Sequence, residues 1–150
     1  MTEIFIDGDA CPVKEEVYAV AARLGLPVVV VANQRIQVPH DLGVGMVVVA
    51  EGPDAADDWI ASEIRRNDIV ITADIPLAAR CLAVGALALG TNGREFTQDS
   101  IGGALATREI KASIRESGQS TGGPPPITAK DRSRFSNRLD QLAHRALRSG

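Results

Sequence analysis

Short apolar runs alternate with longer amphipathic stretches along the first 95 residues of the chain. The apolar runs predict strands, at residues 4–6, 28–32, 46–50, 69–72 and 86–89. Between them, apolar positions recur every three to four residues and predict helices, at residues 12–24, 54–65 and 76–84. Strands separated by helices of this length form right-handed βαβ units. We therefore predict an α/β fold of three layers, in which helices cover both faces of a mainly parallel sheet.

The pattern changes after residue 95. Residues 97–116 predict one further helix, and residues 118–127 are rich in glycine and proline, which is typical of a loop. Residues 128–150 predict a final helix whose apolar stripe packs on the rest of the protein. The sequence thus predicts an α/β domain at 1–117, a loop at 118–127 and a basic C-terminal helical extension at 128–150.

Composition narrows the class of protein. A chain of 150 residues with 45% hydrophobic and 23% charged residues fits one globular domain. No apolar run approaches the ~20 residues of a membrane helix, and the N-terminus lacks the basic and apolar regions of a signal peptide. The two cysteines have no Cys-x-x-Cys spacing, which excludes a disulfide scaffold and a thiolate zinc site. We expect a cytoplasmic protein that does not contact a membrane.

The net charge of −3 hides an asymmetry along the chain. Residues 128–150 carry six basic and two acidic side chains, a net charge of +4. Residues 1–127 carry ten basic and seventeen acidic side chains, a net charge of −7. A basic arm on an acidic body either contacts a polyanion such as RNA or packs on the body as a solvated helix. The sequence leaves this choice open, and it leaves a homodimer open as well.

Carboxylates directly follow two of the predicted strands. Asp7 and Asp9 come after the first strand, and Asp74 comes after the strand at 69–72. In an open α/β sheet, ligands bind at the edge formed by the carboxyl ends of the strands. We therefore expect the three aspartates to converge at this edge if the two strands are neighbours.

A further acidic group lies near the start of the predicted helix at 54–65. Asp54, Asp57 and Asp58 occupy positions i, i+3 and i+4, which share one helix face. Several carboxylates in one crevice cannot all stay ionised without a cation, and oxygen ligands select Mg²⁺ or Mn²⁺. Such an ion activates a water molecule and neutralises charge that develops on a phosphate. The sequence therefore indicates a divalent metal site.

The same aspartates also fit a purely structural role. Asp9, Asp54 and Asp74 each precede a predicted helix and can be its N-cap. Asp7 differs because it ends a strand, where an uncompensated carboxylate is unfavourable. Taken alone, the residues leave both interpretations open.

Other polar residues are candidates for contact with a phosphate. Lys14 lies in the first helix, Arg35 follows the second strand, and Thr72 ends the strand at 69–72. Each also has a simpler interpretation, as a solvated cation for Lys14 and Arg35 and as strand closure for Thr72. Cys11 and Cys81 are expected to be reduced packing residues.

Several motifs resemble the YaiI/YqxD family of uncharacterised bacterial proteins. They follow the family order across nearly the whole chain: Asp7-Gly8-Asp9-Ala10-Cys11-Pro12-Val13-Lys14, Asp54-Ala55-Ala56-Asp57, Asp68-Ile69-Val70-Ile71-Thr72-Ala73-Asp74-Ile75-Pro76-Leu77-Ala78, Gly122-Gly123-Pro124 and Lys130-Asp131-Arg132. Two positions depart from the family pattern. Gly8 stands where alanine is usual, which we expect to loosen the turn, and Ile127 stands where phenylalanine is common.

This family is similar to PIN-like domains, which are metal-dependent nucleases with acidic residues at the strand ends of a parallel sheet. Carried over by position, the resemblance implies that Asp7, Asp9 and Asp74 are catalytic metal ligands and that Asp57 is the carboxylate from a helix. It also implies RNA as a partner, for which Arg132 on the basic final helix is a candidate contact.

Three functions follow as hypotheses. The first is a Mg²⁺- or Mn²⁺-dependent phosphodiesterase that cleaves RNA. The second is a phosphatase of the haloacid-dehalogenase type with Asp7 as nucleophile, which requires a lysine at a later strand–helix junction. The third is a module that binds nucleic acid or protein without catalysis, in which the aspartates are helix caps.

Overall fold

The computed structural model describes residues 2–8, 11–39, 43–50, 52, 54–103 and 127–149. The strands are β1 (Ile4–Asp7), β2 (Val28–Ala32), β3 (Val44–Val48), β4 (Ile69–Ile71), β5 (Leu87–Leu89) and β6 (Glu95–Phe96). The helices are α1 (Lys14–Leu24), α2 (Ala55–Glu63), α3 (Ile75–Ala83) and α4 (Ala129–Ser149), and residues 98–103 are also helical.

The strands form one sheet in the order β3-β2-β1-β4-β5-β6. The pairs from β3 to β5 are parallel, and β6 is antiparallel to β5. The central strands are buried on both faces because helices cover each side, which is why their sequences are runs of β-branched residues. The predicted three-layer, mainly parallel α/β fold is thus confirmed.

The side chains of β1 alternate between two hydrophobic cores. Ile4 and Ile6 enter the core with α1 and α4, whereas Phe5 enters the core with α2 and α3. Because successive side chains of a strand point to opposite faces, Asp7 shares the face of Phe5. The end of β1 therefore presents a carboxylate to the α2–α3 side of the sheet.

The C-terminal helix α4 belongs to the core of the fold. Phe135, Leu139, Leu142, Ala143 and Ala146 are buried in the cluster that also holds α1. The predicted boundary at 117 and nearly all of the predicted loop at 118–127 lie outside the described residues. Among the described residues, no helix is long and apolar enough to span a bilayer.

Two strands differ from the sequence prediction. β3 spans Val44–Val48 instead of 46–50, because Val44 pairs with Val28 at the start of β2 even though Gly45 interrupts the apolar run. The two-residue strand β6 was not predicted, since Glu95 and Phe96 form no apolar run and pair only after a turn at residues 90–94.

Candidate functional site

The ends of the neighbouring strands β1 and β4 bring Asp7 and Thr72 together. The register pairs Ile6 with Ile71, so the residue that follows in each strand lies at the same sheet edge. The hydroxyl of Thr72 donates a hydrogen bond of 2.9 Å to Oδ2 of Asp7. Thr72 is buried, with 1% of its surface exposed, so this bond fixes the orientation of the Asp7 carboxylate.

Thr72 also connects Asp7 to Asp74. The backbone N–H of Asp74 donates to the Thr72 hydroxyl oxygen at 2.9 Å. Oδ1 of Asp74 accepts a bond of 2.8 Å from the N–H of Leu77, which caps the N-terminus of α3. Within the described part of the chain no residue donates to Oδ2 of Asp74, so this oxygen is available to a ligand.

Asp57, in the first turn of α2, lies within electrostatic reach of both strand-end carboxylates. Its pKa is raised to about 6, first by burial and then by the negative charges of Asp74, Asp7 and Asp54. The positive charge of Arg80 lowers the pKa but does not offset these effects. The negative charges of Asp7 and Asp74 thus act on Asp57, whereas Asp9, the third aspartate expected at this edge, lies outside the described residues.

Asp57 and its neighbour Asp58 have different surroundings. Oδ1 of Asp58 accepts a hydrogen bond of 2.8 Å from Nη1 of Arg80 on α3, in a pair that is exposed to solvent. Asp58 therefore has a cationic partner at the surface, whereas Asp57 is partly buried and experiences the negative charges of Asp74 and Asp7. The contact between Arg80 and Asp58 was missed at the sequence level, because no sequence pattern records a pair between two helices.

The carboxylates suit a hard divalent cation, although they do not form a complete cage. Among the described residues, no group of three or more histidine, cysteine, aspartate or glutamate side chains is arranged to hold a metal ion. Mg²⁺ keeps several of its waters and commonly needs only one or two protein carboxylates. Asp7, Asp57 and Asp74 supply oxygen donors of that type, and Asp9 lies outside the described residues.

The structure distinguishes between the proposed helix caps. Asp74 caps α3 with its side chain, as the structural interpretation predicted. Asp54 occupies the N-cap position of α2, but its side chain makes no capping bond. The prediction that Asp9 caps the first helix is wrong, because α1 begins at Lys14 and has Val13 at its N-cap.

Two of the predicted phosphate contacts bind the protein itself. Nζ of Lys14 donates to the carbonyl oxygens of Cys11, at 2.8 Å, and Gly8, at 3.3 Å, and so closes the loop after β1. Nη1 of Arg132 donates to the Pro12 carbonyl at 2.9 Å and to Glu16 at 2.6 Å, which ties α4 to α1. Both cations stabilise the loop that follows Asp7.

Arg35 and Thr72 also differ from a simple phosphate contact. Arg35 is exposed and lines a surface groove beside Val44 and Met46 of the edge strand β3, and none of the candidate acidic residues that the structure describes lines that groove. The hydroxyl of Thr72 is engaged on both sides by Asp7 and Asp74, which makes Thr72 a positioning residue.

The thiols and the remaining lysines bear on the other hypotheses. Cys11 and Cys81 are free and buried, and burial raises the pKa of both thiols, that of Cys81 to about 12. This agrees with packing roles.

The phosphatase hypothesis needs a lysine at a strand–helix junction, but Lys130 lies exposed on α4 and Lys111 is outside the described residues.

Comparison with known proteins shows relatives of this chain that match it over nearly its whole length. A UPF0178 protein of Paramagnetospirillum magneticum is 56% identical over 148 residues, which cover 99% of this chain and 98% of that protein. A UPF0178 protein of Rhodospirillum rubrum is 55% identical over 140 residues, 93% of each chain. Among solved structures, the crystal structure of Rae1 (YacP) from Bacillus subtilis (W164L mutant) is similar with a TM-score of 0.43 and 15% identity, over 100% of both chains.

The family assignment rests on a match along almost the entire sequence. The sequence model described as "Uncharacterized BCR, YaiI/YqxD family" matches residues 5–145, a range that includes Asp7, Asp57, Thr72 and Asp74. The resemblance predicted from the motifs is confirmed, and the chain belongs to the YaiI/YqxD family.

Proposed function

We propose that this protein is a Mg²⁺- or Mn²⁺-dependent phosphodiesterase of PIN-like type that cleaves RNA. The observation that carries the proposal is the surroundings of Asp57, where burial and then the negative charges of Asp74 and Asp7 raise its pKa to about 6. Negative charge gathered at the carboxyl edge of a parallel sheet is unfavourable in itself and becomes favourable when a cation binds. The acidic strand ends also match the layout that the resemblance to PIN-like nucleases implies.

In this proposal each acidic residue has a distinct part. Asp7, held in orientation by Thr72, and Asp57 supply oxygens to the cation. Asp74 contributes Oδ2 while its Oδ1 continues to cap α3, and the resemblance adds Asp9 as a further carboxylate. When bound, the cation would supply water activation and charge neutralisation at the phosphate. The buried Thr72 keeps two of these carboxylates in a fixed relation, so little reorganisation is needed on binding.

The neighbouring residues Asp57 and Asp58 provide a matched test. Asp57→Asn and Asp58→Asn each remove one negative charge from the same turn of α2, but only the first removes it from the crevice. We expect purified wild-type protein with Mn²⁺ to fragment a labelled single-stranded RNA. Asp57→Asn should lower the rate by more than about 100-fold, because even residues behind metal ligands contribute about 10- to 100-fold. Asp58→Asn should stay within about threefold of the wild type.

Four outcomes would contradict the proposal. Cleavage that persists in EDTA, or that survives in Asp57→Asn at the wild-type rate, would show that a contaminant or a metal-independent site is responsible. The absence of any cleavage with both Mn²⁺ and Mg²⁺ would remove the catalytic claim and favour the binding module. Trapping of a fluorometal complex on Asp7 would instead support the phosphatase hypothesis.

A further inference from the structure

A groove rich in arginine opens at the same edge of the sheet as the acidic residues. We call it the arginine groove and define it by Arg94, Arg134 and Arg138. It has a volume of about 690 Å³. Its other walls include Pro12, which follows the loop after β1, and Ile127, which precedes α4. Because Arg94 lies in the turn between β5 and β6, the groove lies beyond the carboxyl end of β5.

The arginines of α4 and of the turn between β5 and β6 differ in their partners. Arg132 and Arg145 form ion pairs with Glu16 and Glu95 and hold the helix on the body. By contrast, within the described residues Arg138 forms no ion pair, and the same is true of Arg94. Arg94 and Arg138 thus have no acidic partner in the part of the chain that the structure describes and are available to an anion from outside.

Asp131 is the one acidic side chain among the described residues that line the groove, and it is already hydrogen-bonded. Asp131 accepts a hydrogen bond of 3.0 Å from the backbone N–H of Thr128 at the start of α4. Its contact with Arg134 is 3.8 Å long and exposed to solvent, so it neutralises Arg134 only weakly. The groove thus keeps a net positive charge in a protein whose total charge is −3.

The spacing of the cations points to a chain of phosphates. Lys130, Arg134 and Arg138 stand at positions i, i+4 and i+8 of α4, so they succeed each other by about 6 Å along the helix axis. A single free phosphate would engage only one end of such a row. None of the described residues that line the groove is aromatic, so bases have no stacking platform and the backbone is the feature to be bound.

We infer that the arginine groove binds the phosphate backbone of single-stranded RNA with little sequence preference. The inference rests on the proposed function in one respect, since the groove would then lead the strand along the sheet edge to the acidic residues. Binding itself requires no metal. A groove for the polyanion is also what the acidic site needs, because its carboxylates repel phosphates when no cation is bound.

The test compares substitutions that remove charge inside and outside the groove. The probe is a fluorescently labelled, mixed-sequence single-stranded RNA, and its anisotropy is followed in EDTA so that no cleavage occurs. We expect Arg94→Ala combined with Arg138→Ala to weaken binding by more than about tenfold and to reduce the slope of log K against log salt by about two. Arg148→Ala, an exposed site on the same helix outside the groove, should change the affinity by less than about threefold.

The inference would be overturned if the double variant bound as tightly as the wild type, or if Arg148→Ala weakened binding just as much. It would also be overturned if the wild type bound no RNA at low salt. Thermal unfolding of each variant checks that the fold is intact. This inference and the proposed function can fail separately. RNA binding that depends on the groove, without any cleavage by the wild type, would refute only the nuclease. Cleavage at the wild-type rate in the groove variants would refute only the role of the groove.

Discussion

At the scale of single residues, Asp57 is the carboxyl group near the strand ends whose pKa the fold raises. Its pKa rises from 3.8 to about 6 because burial and the charges of Asp74 and Asp7 disfavour the ionised form. A raised pKa in the folded state means that the neutral group stabilises the protein. This contribution is fully present below about pH 4 and is lost as the pH rises through about 6.

We therefore predict that Asp57→Asn stabilises the metal-free protein at neutral pH. Asparagine cannot ionise, so the free energy of unfolding should rise by about 1 kcal/mol at pH 7, after allowance for solvent screening, and should match the wild type near pH 4. Urea unfolding in EDTA at the two pH values measures this difference. Asp58→Asn is the control and should be neutral or slightly destabilising, since it breaks the pair with Arg80. Equal stability of wild type and Asp57→Asn at pH 7 would contradict the raised pKa of Asp57 and its causes, burial and the charges of Asp74 and Asp7.

Gly8 allows the backbone after β1 to approach β2 closely. A Cβ atom built at Gly8 would lie 2.8 Å from Cγ1 of Val30 and 3.2 Å from the carbonyl oxygen of Val31. The sequence-based expectation was that glycine loosens this turn, but the structure shows a tight contact that glycine permits. The backbone after Asp7 can therefore take this position only because residue 8 has no side chain.

We predict that Gly8→Ala destabilises the protein by about 1–3 kcal/mol, because an added methyl group overpacks this contact. Chemical denaturation measures the loss. The double variant Gly8→Ala with Val30→Ala should lose less than the sum of the two single changes, since removal of Cγ1 makes room for the new methyl group. Strict additivity of the two changes would show that Val30 is not what excludes alanine.

At the scale of secondary-structure elements, the sequence was informative where the signal was local. The strands β2 and β4 were predictable because their apolar side chains are buried from both faces, and α3 was predictable because Asp74 and Pro76 mark its start. The strand β6 was not, because its two residues pair with β5 only through the tertiary fold.

The candidate site shows the same division. The carboxylates Asp7 and Asp74 could be found from their positions after strands. Their connection through Thr72 requires β1 and β4 to be neighbours in the sheet. The hydrophobic pattern of the sequence does not indicate which strands pair. The contacts of Lys14 and Arg132 with carbonyl oxygens could not be predicted either. The sequence around a cation near a turn is the same whether the cation binds a ligand or the backbone.

The helix α4 offers a prediction at this scale, because its apolar side chains differ sharply in burial. Phe135 is completely buried in the core with α1, whereas Leu147 on the same helix is 41% exposed. Phe135→Ala should lower the free energy of unfolding by about 3–5 kcal/mol, and Leu147→Ala should change it by less than about 0.5 kcal/mol. Thermal or urea unfolding compares them. Similar small losses for both would show that α4 is only loosely attached.

At the scale of the whole molecule, the charge asymmetry of the sequence has a structural explanation. The basic final helix packs on the acidic body through its apolar stripe and through ion pairs that use Arg132 and Arg145. Two of its other cations, Arg134 and Arg138, line the arginine groove beside the carboxyl edge of the sheet. The apolar stripe of the basic arm packs on the body, as one of the two interpretations expected, and contact with a polyanion is the proposal made for the arginine groove.

The acidic residues come together only when the entire sheet is formed. Thr72 and Asp7, which hydrogen-bond in the folded protein, are 65 residues apart in the chain. An unfolded chain therefore cannot present the same set of oxygens, and a cation that binds the crevice binds only the folded state. Binding of this kind must raise the stability of the whole protein by mass action.

We predict that Mn²⁺ stabilises the wild-type protein against thermal unfolding, by about 2.7 kcal/mol when its concentration is about 100 times the dissociation constant. The shift in Tm should be lost in Asp57→Asn and kept in Asp58→Asn, because only Asp57 faces the other carboxylates. Since protons compete with the cation for Asp57, whose pKa is about 6, the shift should shrink as the pH is lowered from 7 to 5. A shift of the same size in wild type and Asp57→Asn would place the cation elsewhere and leave the crevice without its proposed ligand.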